Sequence, residues 1–154
     1  MTYKERIQTL DNGIVRMTTY LSYGAAYNDH LDSTGNEAKR EAYGVLTKIE
    51  ATRASLYAVK NISFDSCRRN MLGGHMAGEY EMLCANKCNA YIHCVNSIIN
   101  ILNQERTRLI KEQADEEQKS NKLLTKWTLA FSIIAALGTI ASLLFAIFSY
   151  FYNL

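Results

Sequence analysis

Apolar side chains recur every three or four residues along most of this chain, and the pattern then closes into one unbroken apolar run. Ile7, Leu10, Ile14, Met17 and Leu21 form the first stripe, and Thr2 followed by Glu5 has the spacing of a capping box, so a helix is expected from the start. Asp11-Asn12-Gly13 interrupts that stripe with poor helix formers, which leaves a short strand over Gly13–Tyr23 as the alternative. Asn28–Asn36, rich in Asp, Ser, Thr and Gly, reads as a loop. Thr34 and Glu37 repeat the capping-box spacing after it and predict a second helix to about Asn61, with Ala42, Leu46, Ile49, Leu56 and Val59 as its apolar face. Between Glu79 and Leu137 there is neither Gly nor Pro, so a third helix is expected to continue without a local stop. Cys84, Cys88, Tyr91, Val95, Ile98, Leu102 and Leu109 give it one stripe at heptad spacing. Beyond Leu109 the stripe dissolves into KEQADEEQKSNK, a solvated stalk or a joint. There Glu112 and Glu116 oppose helix at i,i+4 while Asp115 and Lys119 favour it, each by only a few tenths of a kcal/mol.

The apolar run WTLAFSIIAALGTIASLLFAIFSYF covers 127–151. As a helix at 1.5 Å per residue it reaches roughly 37 Å, enough to cross a hydrocarbon core of about 30 Å with some tilt. Its polar members Thr128, Ser132, Thr139, Ser142 and Ser149 are hydroxyls that can bond back to their own helix. Trp127 at one end and Tyr150 and Tyr152 at the other suit the two membrane interfaces. Lys119, Lys122 and Lys126 precede the run, so the positive-inside bias leaves 1–126 in the cytoplasm. Met1–Arg16 is polar and mixed in charge, unlike a signal peptide, and the expected topology is tail-anchored. The predicted architecture is all-α: a cytosolic helical domain over 1–110, a charged stalk over 111–126, one transmembrane helix over 127–151 and a short tail over 152–154.

Composition sharpens this picture. Among 154 residues there are 17 basic and 15 acidic side chains and no proline. The net charge of +2 provides no overall field for nucleic acid, but its distribution is lopsided: every charged side chain lies at or before Lys126. Such a carboxyl-terminal segment needs a lipid bilayer or a permanent partner to cover it. Cys67, Cys84, Cys88 and Cys94 are expected to be reduced in the cytosol. Cys84 and Cys88 lie on the apolar stripe, no CxxC pair is present, and core packing is the expected role; no metal and no cofactor is predicted. No serine-triad set, paired-carboxylate motif, Walker loop or HExxH points to catalysis, and the chain is not expected to be an enzyme.

Three sets of residues are candidates for binding. Opposite the third helix's apolar stripe, Asn86, Asn89, His93, Asn96, Asn100 and Asn103 occupy an arc of roughly 100°, centred about 150° away at 100° per residue. Asn is a poor helix former, so a row of them suggests a polar ligand-facing or inter-subunit surface. The segment Cys67–His75 joins Arg68 and Arg69 to Gly73, Gly74 and His75 before a helix N-terminus. That is a reasonable anion site for a phosphate-bearing ligand, unless the arginines pair with Glu79 and Glu81. In the apolar run, Ala135, Gly138, Ser142 and Ala146 form a small-residue face suited to self-association, and a homo-oligomer is expected. Phe131, Ile134, Leu144, Phe145 and Phe148 supply bulk toward lipid.

Arg69-Asn70 followed by His75 is similar to the R-x(4–6)-H motif of HEPN ribonucleases, over seven residues of this chain. The resemblance implies a helical dimer that places paired Arg and His at an RNA phosphate, here Arg69 and His75. In outline alone, a helical domain on a single span is similar to small membrane effectors of bacterial antiviral defence and toxin systems. The expected function is therefore a tail-anchored signalling effector whose cytosolic domain senses a ligand or protein partner and passes the change to the membrane. A passive tethered adaptor and a membrane-tethered HEPN-like ribonuclease are the alternatives.

Overall fold

The computed structural model describes residues 1–25, 30–67 and 77–152, and the fold is all-α. α1 spans Tyr3–Ala25, α2 Leu31–Lys48, α3 Arg53–Asn61 and α4 Ala77–Tyr152, with a 3-10 turn at Asp65–Cys67. The chain divides into two compact units, Met1–Lys111 and Glu112–Leu154, and the boundary falls inside α4.

The capping box at the start of α1 is formed. The Thr2 amide donates to Glu5 Oε2 (2.8 Å) and the Glu5 amide to Thr2 Oγ1 (3.3 Å). The expected break at Asp11-Asn12-Gly13 does not occur, and helix replaces the alternative strand over Gly13–Tyr23. Tertiary contacts override weak propensity here. Gly13 is buried where α1 meets α2, and a Cβ on it would come within 3.1 Å of Val45 Cγ1. Asp11 accepts a hydrogen bond from Arg106 Nε of α4 (2.5 Å).

The second predicted helix is corrected at its start and in its interior, while its expected end near Asn61 is the end of α3. Leu31–Asn36, expected as part of a loop, is already the first part of α2, because Leu31 and Gly35 face the core among their polar neighbours. Gly35 lies against the Phe64 ring, where a Cβ would fall 2.1 Å from Cδ1. The Thr34 amide donates to the His30 carbonyl (3.0 Å), so Thr34 is inside the helix and does not cap it. The expected run to Asn61 is in fact two helices. Glu50 takes a left-handed φ of 55°, the Ala51 amide reaches the Leu46 carbonyl (2.9 Å) and the Glu50 amide reaches Thr47 (3.1 Å). This is a Schellman ending without glycine. Arg6 holds it in place, with Nε on the Ile49 carbonyl (2.7 Å) and Nη2 on Glu50 (2.9 Å). Thr52 then caps α3 by accepting from the Ser55 amide (3.2 Å).

The core of the first unit is filled by Leu10 and Met17 of α1, Ala38, Ala42 and Leu46 of α2, Ile49, Val59 of α3, Phe64, and the α4 stripe Tyr91, Val95, Ile98, Leu102 and Leu109. Cys84 is buried on the same stripe and Cys88 is half-buried. The Phe64 and Tyr91 rings meet at 5.8 Å, tilted, a favourable aromatic geometry. The Tyr91 hydroxyl donates to the Tyr20 carbonyl (2.9 Å).

Candidate functional site

The second unit is helix alone. From Trp127 to Phe148 every residue is exposed, including twelve large apolar side chains from Trp127 and Leu129 to Ile147 and Phe148. At about 2 kcal/mol for each such side chain removed from water, covering them is worth on the order of 20 kcal/mol. This is the one helix, among the described residues, long and apolar enough to cross a membrane. The hydroxyls from Thr128 to Ser142 are internally satisfied: Thr128 donates to the Leu124 carbonyl, Ser132 to Thr128, Thr139 to Ala135 and Ser142 to Gly138, each at 2.9 Å. Such back-bonding removes the penalty of bare hydroxyls in hydrocarbon.

On this helix Ala135, Gly138, Ser142 and Ala146 share a face and are all exposed. A Cβ added at Gly138 meets nothing within 4 Å, so backbone of another helix can approach there. Near the start of the run the Trp127 and Phe131 rings stack one turn apart, with centroids at 6.1 Å.

In the first unit the asparagine row is where periodicity places it. Asn86, Asn89, His93, Asn96, Asn100 and Asn103 are all exposed on α4, on the side away from the core stripe. None of the five asparagine side chains has a hydrogen-bond partner among the described residues, so the row offers a line of neutral donors and acceptors. Arg68, Arg69, Gly73, Gly74 and His75, and with them the HEPN-like motif, lie outside the described residues.

Cys67 is buried and Cys94 half-buried, and the Cys94 thiol donates to the Ser63 carbonyl (3.4 Å). Burial pushes both thiols up from their ordinary range, which keeps them protonated and weakly nucleophilic. Among the described residues no three His, Cys, Asp or Glu side chains converge as metal ligands would.

The sequence reading missed Glu105, the one buried charged residue of the first unit's described part, at 2% exposure. It occupies the α4 stripe between Leu102 and Leu109, and its carboxylate is the keystone of the α3 N-terminus. Glu105 Oε1 accepts from Thr52 Oγ1 (2.6 Å), Ser55 Oγ (2.5 Å) and the Thr52 amide (3.2 Å), and Oε2 from Arg108 Nε (2.7 Å). Burial pushes its pKa up, but the hydrogen bonds from Ser55, Thr52 and Arg108 outweigh it and hold the group below the usual glutamate range. The signal was present: 98, 102, 105 and 109 continue the 3–4 spacing, with a charge at one place. A second network joins α1 to α2, where Arg16 pairs with Glu41 and the Tyr20 hydroxyl donates to Glu41 Oε2 (3.1 Å). Burial, then that carboxylate, pushes Tyr20 up to about 12.

No family model matches the chain, and neither the curated proteins nor the solved structures hold a match to it.

Proposed function

We propose that this chain is a single-pass membrane protein whose cytoplasmic helical domain senses a ligand or partner and couples it to the membrane through α4. The observation that carries the reading is the span itself: an ion-free helix with every residue from Trp127 to Phe148 exposed and its hydroxyls from Thr128 to Ser142 satisfied internally. Lys119, Lys122 and Lys126 precede the span, and the positive-inside bias supports a cytoplasmic side for the residues before it. Coupling is supported by the fact that one helix, α4, contributes both the core stripe of the first unit and the span. Ligand-induced repacking in the domain would bring copies together, and the Ala135–Gly138–Ser142–Ala146 faces would then pack. A cluster of such spans perturbs the bilayer, the behaviour of a membrane effector in bacterial antiviral defence or toxin systems.

Dye release from liposomes tests this directly. The wild-type chain should release trapped dye in proportion to its self-association, and Gly138→Leu should insert equally but release little. A stable co-purifying protein with no dye release would favour the tethered adaptor. RNA cleavage lost on His75→Ala would favour the nuclease.

A further inference from the structure

The helix of the second unit has two unlike sides before it reaches the apolar run. Ala114, Glu117, Asn121 and Leu124 follow one another at alternating spacings of three and four, the a and d positions of a coiled-coil heptad. Their flanks at e and g are Gln113, Gln118, Ser120 and Thr125, all uncharged. The outer positions b, c and f hold Glu112, Asp115, Glu116, Lys119, Lys122 and Lys126, and only Leu123 on that side lacks charge. A helix solvated all round has no reason to clear one side of its charges. Counted on in sevens, the same two positions enter the apolar run as Thr128, Phe131, Ala135, Gly138 and Ser142, so the stalk and the small-residue face share one register. All of these a and d residues are exposed, Leu124 at 66%.

We infer that this uncharged side is the seam of a parallel two-stranded coiled coil with a second copy of the chain, running from Ala114 into the span. Three features select a second copy. Asn121 lies at an a position with its side-chain amide unpaired among the described residues, and the same Asn of the other strand satisfies it while fixing register and strand number. A different chain is chosen as coiled-coil partner by charges at e and g, and here those positions carry none. The span holds copies side by side and the same way up, so a meets a and d meets d. The seam is also weak enough to be reversible. Glu117 at d faces its own copy, a like-charge contact softened within each strand by Gln113 Nε2 donating to Glu117 Oε1 (2.9 Å). So short a stretch does not hold two strands together in free solution, and confinement to one bilayer supplies the effective concentration. The inference rests on the proposed span and gives the proposed self-association a partner, a face and a register. Strand pairing is read without dye release, so the two readings fail separately.

The test is disulfide scanning of the full chain in membranes of cells making it, one added cysteine at a time, oxidised with copper phenanthroline. Wild type, with its native Cys67, Cys84, Cys88 and Cys94, sets the baseline. Ala114→Cys, Asn121→Cys and Leu124→Cys should give cross-linked dimer several-fold above it. Asp115→Cys, Lys119→Cys and Lys122→Cys, on the outer side, should stay near it. Adding Glu117→Leu to Leu124→Cys should raise the dimer yield further, because the facing carboxylates are gone. Seam yields at the baseline, or equal yields on the two sides, overturn the proposal. So does a fall in yield on Glu117→Leu, or a seam adduct whose mass is not that of two chains.

Discussion

Glu105 shows how much a single charge can organise when its partners are all donors. Its carboxylate joins the Thr52 hydroxyl and amide, the Ser55 hydroxyl and the Arg108 guanidinium, on two helices far apart in sequence. Glu105→Ala leaves those donors without an acceptor and should lower stability by about 2–3 kcal/mol in denaturant unfolding followed by circular dichroism. Its pH dependence has a definite sign. Because the folded pKa lies below the ordinary value, the contribution is complete above the unfolded pKa of about 4.3 and fades as pH falls through the folded value. Wild type's advantage over Glu105→Gln should therefore be smaller at about pH 3 than at neutral pH. An equal gap at both pH values contradicts this role. Gly35 makes a steric prediction at the same scale. The fully enclosed Phe64 ring cannot yield to a side chain there, so Gly35→Val should cost at least about 2 kcal/mol and lower Tm by roughly 10 °C.

At the scale of elements, the strongly periodic segments were legible and the junctions were not. The α4 stripe from Cys84 to Leu109 and the asparagine row opposite it follow from spacing alone, since a face with a fixed period must be buried or solvated as a unit. The break between α2 and α3 was not legible. Glu50 is an unlikely residue for a left-handed φ, and it is tolerated because Arg6, 43 residues away from Ile49, fixes the turn from outside. The early start of α2 was hidden by polar residues whose neighbours Leu31 and Gly35 carry the packing. Helicity through 112–126 bears on the proposed coupling. Gln118→Pro removes a backbone donor and costs that helix about 3 kcal/mol locally. It should leave both the melting of the helical domain and membrane integration unchanged while cutting dye release from liposomes several-fold. Undiminished release would show that α4 does not transmit anything.

At the scale of the molecule, two units of opposite solvent preference share one helix. The first has a core of mixed aliphatic and aromatic side chains, polar networks at Glu105 and Glu41, and an exposed polar row. The second is a helix with no core of its own, whose apolar part lacks charge and whose small-residue face is open. Everything proposed for signalling depends on lipid covering that second unit. Alkaline carbonate washing of membranes from cells making the full chain is the most direct measurement. The account predicts that the protein stays with the bilayer pellet and that a chain ending at Lys126 moves to the supernatant. Full-length protein recovered in the supernatant, free of lipid and of any companion subunit, would contradict it.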